Sequence, residues 1–183
     1  DQNLVLRHYY RGGAAEKFIR DTYLWRGLDK TRAIDELRML FIMQEMNLPV
    51  PTPVAGHTHR TGFMYTADII TQLIPQTQSL CSMLIKNSLS EEIWERIGSV
   101  IKQFHDNHCN HADLNAHNIL INEKGRIFLI DFDKARIHKH TNVWKQANLA
   151  RLERSLTKLK NTESKFNYSQ QDFKSLIQGY RHN

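Results

Sequence analysis

His111-Ala112-Asp113-Leu114-Asn115-Ala116-His117-Asn118 reads H-x-D-x-x-x-x-N, and 13 positions beyond Asn118 comes Asp131, inside Ile130-Asp131-Phe132-Asp133. What flanks this stretch decides the fold. Upstream, Ile93, Trp94, Ile97, Val100, Ile101 and Phe104 recur at helical spacing as far as His108. Ser90 followed by Glu91 and Glu92 puts a cap and acids at the start of that helix. Downstream, Ile119–Asn122 and Arg126–Asp131 read as two short strands joined by Glu123-Lys124-Gly125, a hairpin turn. A long amphipathic helix thus leads into a loop, the loop opens a hairpin, and the hairpin brings Asp131 back to the end where Asn118 begins. Asp113, Asn118 and Asp131 are expected to converge on one cleft.

These residue types suit metal-dependent phosphoryl transfer. Asp113 would orient an attacking hydroxyl and accept its proton. Asn118 offers a neutral oxygen and Asp131 a charged one to Mg²⁺ under the phosphates of ATP. His111 is expected to brace the loop and is placed with Asp113 in the catalytic set. A plainer reading lets Asp113 cap a turn and Asp131 a strand end through hydrogen bonds to backbone. A zinc site built from His105, His108, Cys109, His111, Asp113 and His117 is a third reading, but it explains neither Asn118 nor Asp131.

Working outward, the chain before the motif mixes strands with one helix. Asn3–Tyr10 reads as a strand ended by Arg11-Gly12-Gly13, and Ala14–Leu28, with Phe18, Tyr23 and Trp25, as a helix or an ordered excursion. Thr31–Glu45 is a helix whose apolar stripe is Ile34, Leu37, Leu40 and Phe41, with Gln44 interrupting it and Ile42 and Met43 beside it. Asn47–Pro53 forces an extended connection. Val54–Gly56 and Phe63–Ile74 read as strands, and Pro75-Gln76-Thr77-Gln78 as a linker. Thr141–Lys160 and Gln170–Tyr180 read as helices. The expected fold is α+β: a small β-rich lobe over residues 1–74 and a mainly helical lobe over 75–183.

A kinase site also needs a cation on a small-lobe strand, paired with a helix glutamate. Arg7, in Leu4-Val5-Leu6-Arg7, is the best candidate, with Glu36 as its partner and Lys17 as the alternative cation. Both Arg7 and Glu36 are therefore assigned to nucleotide binding, beside Asn118 and Asp131. No glycine-rich phosphate loop precedes Arg7, and Gly12-Gly13 follows it. The preferred explanation is that strands before Asp1 are missing from this sequence; the other is that the nucleotide is covered differently.

Composition is ordinary for a globular protein: 183 residues, 40% hydrophobic and 24% charged. No apolar run approaches the ~18 residues of a membrane span, and the polar start Asp1-Gln2-Asn3 gives no sign of a signal peptide. Cys81 and Cys109 lack C-x-x-C spacing and read as reduced thiols. The net charge of +6 suits an anionic partner; nucleic acid is suggested by charge alone and is not expected.

The motifs HADLNAHN at His111–Asn118 and LIDFDKAR at Leu129–Arg136 resemble the lipopolysaccharide-core kinases of Gram-negative bacteria, within the protein-kinase-like superfamily. LRHYYRGG at Leu6–Gly13, LPVPTP at Leu48–Pro53 and ANLARLER at Ala147–Arg154 extend the resemblance over most of the chain. It implies a kinase-like two-lobed fold and transfer of phosphate from ATP to the 4-hydroxyl of 3-deoxy-D-manno-octulosonic acid (Kdo) on a lipid A precursor. A heptose kinase, or an atypical protein kinase or pseudokinase scaffold, is the alternative. The resemblance also implies a peripheral position at an anionic inner membrane, on the cytoplasmic side. Lys134, Arg136, His138 and Lys139 could line the acceptor side. Ala112 stands where protein kinases carry arginine, Asn115 where Ser/Thr kinases carry lysine, and Asp133 where D-F-G has glycine; no A-P-E segment follows. These departures favour a sugar acceptor and an enzyme without an activation-loop switch.

Overall fold

β-Branched and aromatic residues make Met64–Gln72 (β4) the central strand of the first sheet. The computed structural model of the chain describes residues 3–10, 21–138 and 143–182. β3 (Pro53–Thr61) pairs along one edge of β4, and β1 (Leu4–His8) and β2 (Tyr23–Leu24) share the other, all antiparallel. Tyr65, Ala67 and Ile69 alternate along β4 as the buried face and meet α1 (Arg32–Glu45).

The buried stripe of α1 is Ala33, Glu36, Leu40 and Met43. The expected stripe is thus rotated, and Phe41 stays 49% exposed. Hydropathy alone misplaced it because the buried face is organised around a charged residue, Glu36. Gln44 turns to Thr52, its Nε2 donating at 3.1 Å to the hydroxyl. Of Ala14–Leu28, residues 14–20 lie outside the described residues; the remainder is β2 and bends, followed by one 3₁₀ turn at Leu28–Lys30. The strand expected at Val54–Gly56 extends to Thr61.

The proposed linker is shorter than expected. Thr77 and Gln78 belong to β5 (Thr77–Ser79), which pairs with β7 (Ile119–Asn122), and β7 pairs in turn with β8 (Ile127–Leu129). Ser79 then caps α2 (Leu80–Lys86), its Oγ accepting from the Ser82 amide at 3.1 Å. Ser90 precedes α3 (Glu91–Asp106) but makes no side-chain capping bond; its carbonyl takes the first helical amides. α3 carries the expected apolar face, with Trp94, Ile97, Ile101 and Phe104 fully buried.

Two-residue strands β6 (Cys109–Asn110) and β9 (Arg136–Ile137) pair on either side of the motif. Long helices α4 (Val143–Thr162) and α5 (Gln170–His182) complete the chain. α3 and α5 cross backbone to backbone at two glycines. A Cβ on Gly98 would lie 1.9 Å from the Leu176 carbonyl oxygen, and one on Gly179 would lie 2.0 Å from that of Glu95. The architecture is the α+β, kinase-like arrangement expected, with the motif hairpin between the sheet-and-helix part and the helical part. Among the described residues no helix is long and apolar enough to cross a membrane. Cys81 and Cys109 are free and buried, and burial pushes the Cys109 thiol up to about 11.

Candidate active site

The loop is built around His111, which is 2% exposed. Its Nε2–H donates to the Ile130 carbonyl at 2.9 Å, and its Nδ1 accepts the Asp113 amide at 3.2 Å. Burial lowers its pKa, so the neutral tautomer that makes both bonds is favoured. The ring also packs on Phe132 (4.8 Å between centroids), which stacks on Phe104 of α3. His111 therefore fastens the loop to the strand end that carries Asp131; it is a bracing residue with no open face toward the cleft.

Asp113 lies outward, its side chain 57% exposed. One carboxylate oxygen accepts from Asn115 Nδ2 at 3.1 Å and the other from Arg151 Nη1 at 2.8 Å. Asn118 is 8% exposed. Its Nδ2 donates to the Asp113 carbonyl at 3.0 Å, which leaves its Oδ1 with no donor among the described residues. The Asn118 carbonyl accepts the Ile130 amide at 3.0 Å, so Asn118 and Asp131 sit at one end of the hairpin, as the spacing predicts.

Asp131 lies just past β8 with φ +65°, a left-handed conformation that Asp tolerates better than most residues. Arg7 clamps it: one guanidinium nitrogen donates to Asp131 and another to Glu36. Glu36 also accepts the Tyr9 hydroxyl at 2.7 Å and the Phe132 amide at 3.2 Å. Burial works against the Arg7 charge, but the Glu36 and Asp131 carboxylates more than offset it and hold the guanidinium charged. Burial raises the Glu36 carboxyl, against the pull of Arg7 and Tyr9. The structure thus brings Arg7, Glu36 and Asp131 into contact and joins them to Asn118, His111 and Asp113 through the hairpin. Lys17, the alternative cation, and Gly12-Gly13 lie outside the described residues.

Beside this group is a cavity of about 140 Å³, lined by apolar residues that include Val5, Leu40, Ile69, Leu73, Leu120 and Ile130, with Arg7 and Asp131 also on its wall. Among the described residues no three His, Cys, Asp or Glu side chains gather as metal ligands. One free amide oxygen on Asn118 and one unclamped oxygen on Asp131 nevertheless fit a Mg²⁺ that takes one or two protein ligands and fills its shell with phosphate and water.

The chain matches the lipopolysaccharide kinase (Kdo/WaaP) family over residues 1–180. The chain belongs to that family. Similar proteins include 3-deoxy-D-manno-octulosonic acid kinases from three bacteria. The Mannheimia succiniciproducens protein is 39% identical over 98% of this chain and 75% of its own length. The Vibrio cholerae protein is 37% identical over 97% and 74%. That of Stenotrophomonas maltophilia is 44% identical over 87% and 64%. As a member of a kinase family, the chain is a phosphotransferase.

Some residues around this candidate site carried no role in the sequence reading. α4 fastens the motif loop from behind: Asn148 Nδ2 donates to the Asn110 side chain at 2.8 Å and the His111 carbonyl at 2.9 Å, and Ser155 accepts the Ala116 amide at 3.3 Å. With Arg151 and the buried Leu152, these residues form one helical face. The signal was present as the 148, 151, 152, 155 spacing, but nothing local shows which segment that face meets. On the other flank, Lys134 and Arg136 are exposed. His138 instead bonds Asn110 at 3.1 Å and stacks on Trp144, and Lys139 lies outside the described residues. Asp133 pairs with Arg32 at 3.3 Å.

Proposed function

We propose that the chain transfers the γ-phosphoryl group of ATP to the 4-hydroxyl of Kdo on a Kdo–lipid A precursor in lipopolysaccharide core biosynthesis. The observation that carries the chemistry is the clamp of Arg7 on Glu36 and Asp131, beside the Asp113–Asn118 loop. A structural capping role for Asp113 and Asp131 leaves that clamp unexplained. The acceptor rests on the names of the relatives, which match nearly the whole chain.

In this reading residues 1–74 and 75–183 are two lobes with the nucleotide between them. The apolar cavity takes the adenine, and Arg7, held by Glu36, faces the phosphates. Asn118 and Asp131 would hold Mg²⁺, which when bound would neutralise charge on the phosphates. The sugar hydroxyl oxygen attacks the γ-phosphorus, the bond from that phosphorus to the β,γ-bridging oxygen breaks, and ADP leaves with the bridging oxygen. The hydroxyl proton passes to Asp113 and on to solvent. His111 keeps the loop in register. The enzyme works as a peripheral protein on the cytoplasmic face of the inner membrane, where the net charge of +6 favours an anionic surface, and exposed Lys134 and Arg136 face the acceptor.

The test is phosphate transfer from labelled Mg-ATP, with Kdo–lipid A, a heptose-bearing core oligosaccharide and a protein as parallel acceptors. Label should appear in Kdo–lipid A. Label in the heptose acceptor alone, or in protein alone, overturns the acceptor assignment.

A further inference from the structure

Kinases with a lysine two residues after the base use it as a cation against the transferring phosphate; here that position is Asn115. Asn115 is neutral, and its amide is spent on the Asp113 backbone and carboxylate. No Lys or Arg occurs anywhere in His111–Asn118. Arg7, held by Glu36 and Asp131, is placed in the proposed reading at the α- and β-phosphates and not at the γ-phosphate. The only cation touching Asp113 among the described residues comes from 38 positions downstream: Arg151 Nη1, at 2.8 Å from the Asp113 carboxylate.

We infer that Arg151 supplies the missing cation and contacts the γ-phosphate, with Asp113 holding its guanidinium in place. Three observations bear on this. First, Arg151 is aimed by a fixed element: Asn148 and Ser155, one turn to either side on α4, are hydrogen-bonded to the loop backbone, and Leu152 is fully buried. Second, the contact to Asp113 uses one of the five guanidinium N–H donors, and the others have no partner among the described residues. Third, the Arg151 side chain is 48% exposed and that of Asp113 57%. An ion pair so exposed adds little to stability, which leaves the donors available to an incoming anion. A planar fork suits a phosphate oxygen and a carboxylate at once. Arg151 then serves as a catalytic residue, delivered in space to the position that the local sequence leaves neutral.

The inference rests on the proposed phosphoryl-transfer site, but not on the identity of the acceptor. Its test is therefore nucleotide binding to the purified wild-type protein and to Arg151→Ala and Arg151→Lys, by calorimetry with Mg²⁺ and either ADP or a non-hydrolysable ATP analogue. Loss of a charge-assisted contact to the γ-phosphate should weaken the analogue roughly 10-fold or more in Arg151→Ala and leave ADP unchanged. Arg151→Lys should recover part of the difference. Unfolding midpoints should match wild type, because the side chain is half exposed. Equal weakening of both nucleotides, or none of either, overturns the inference even if transfer to Kdo–lipid A is observed. Conversely, selective loss of the analogue supports it even if a different acceptor is found.

Discussion

Asp113 is held from three directions: its amide by His111, its carbonyl by Asn115 and Asn118, and its carboxylate by Asn115 and Arg151. Each contact constrains orientation and none buries the side chain, which suits a base that must meet an external hydroxyl. Asp113→Ala should cut turnover by ~10²–10⁴-fold, measured as transfer to the acceptor with the unfolding midpoint as control. Near-wild-type turnover would remove Asp113 from the proposed role. At this scale much was legible from the sequence. The spacing places Asp113, Asn118 and Asp131 on one loop and hairpin, and a cation on the first strand with an acid on the following helix pairs Arg7 with Glu36. Arg151, Asn148 and Ser155 were not legible as partners, because a residue 38 positions away meets the loop through helix packing rather than through local pattern.

Among elements, α3 and α5 cross backbone against backbone. Gly98 and Gly179 are required there because a methyl group on either would overlap the partner's backbone, which cannot swing aside as a flexible side chain would. Gly179→Ala should therefore destabilise by at least ~1–3 kcal/mol, the usual cost of overpacking. A downward shift of the urea midpoint, with the denaturant slope unchanged, is the expected reading; no shift would mean the helices can separate freely. The long periodic helices were legible to within a few residues because their apolar faces are continuous. β5, β6 and β9 were not: strands of two or three residues have no period to read, and only the partner strand makes them strands. The face of α1 was misread for a related reason, since its buried position 36 is a glutamate that counts as polar in any hydropathy pattern.

Across the whole molecule, a relay of hydrogen bonds ties the last helix to the motif. The Tyr180 hydroxyl donates to His105 Nδ1 at 2.8 Å, His105 Nε2 meets Asn148 Oδ1 at 3.4 Å, and Asn148 holds His111 and Asn110. The relay needs a neutral His105, and burial lowers its pKa from 6.5 to about 4. An unfolded chain takes up that proton as pH falls below its ordinary value, while the folded protein resists until about 4. The contribution is thus fully present above the unfolded value and drains away between the two, by on the order of 3 kcal/mol. Urea unfolding at about pH 7.5 and about pH 5 should show the larger part of this loss, roughly 2 kcal/mol, and His105→Gln should lose less stability between the same conditions. An identical acid response in the variant would assign the effect to other groups. The Arg7 fork has a consequence of a different order, for descent. One guanidinium joins a strand, a helix and a hairpin end, so removing Arg7 leaves the Glu36 and Asp131 carboxylates together without a cation, whereas removing either carboxylate leaves Arg7 one partner. In charge terms the order of change therefore matters: a lineage can lose one carboxylate while Arg7 keeps the other, but it cannot lose Arg7 first.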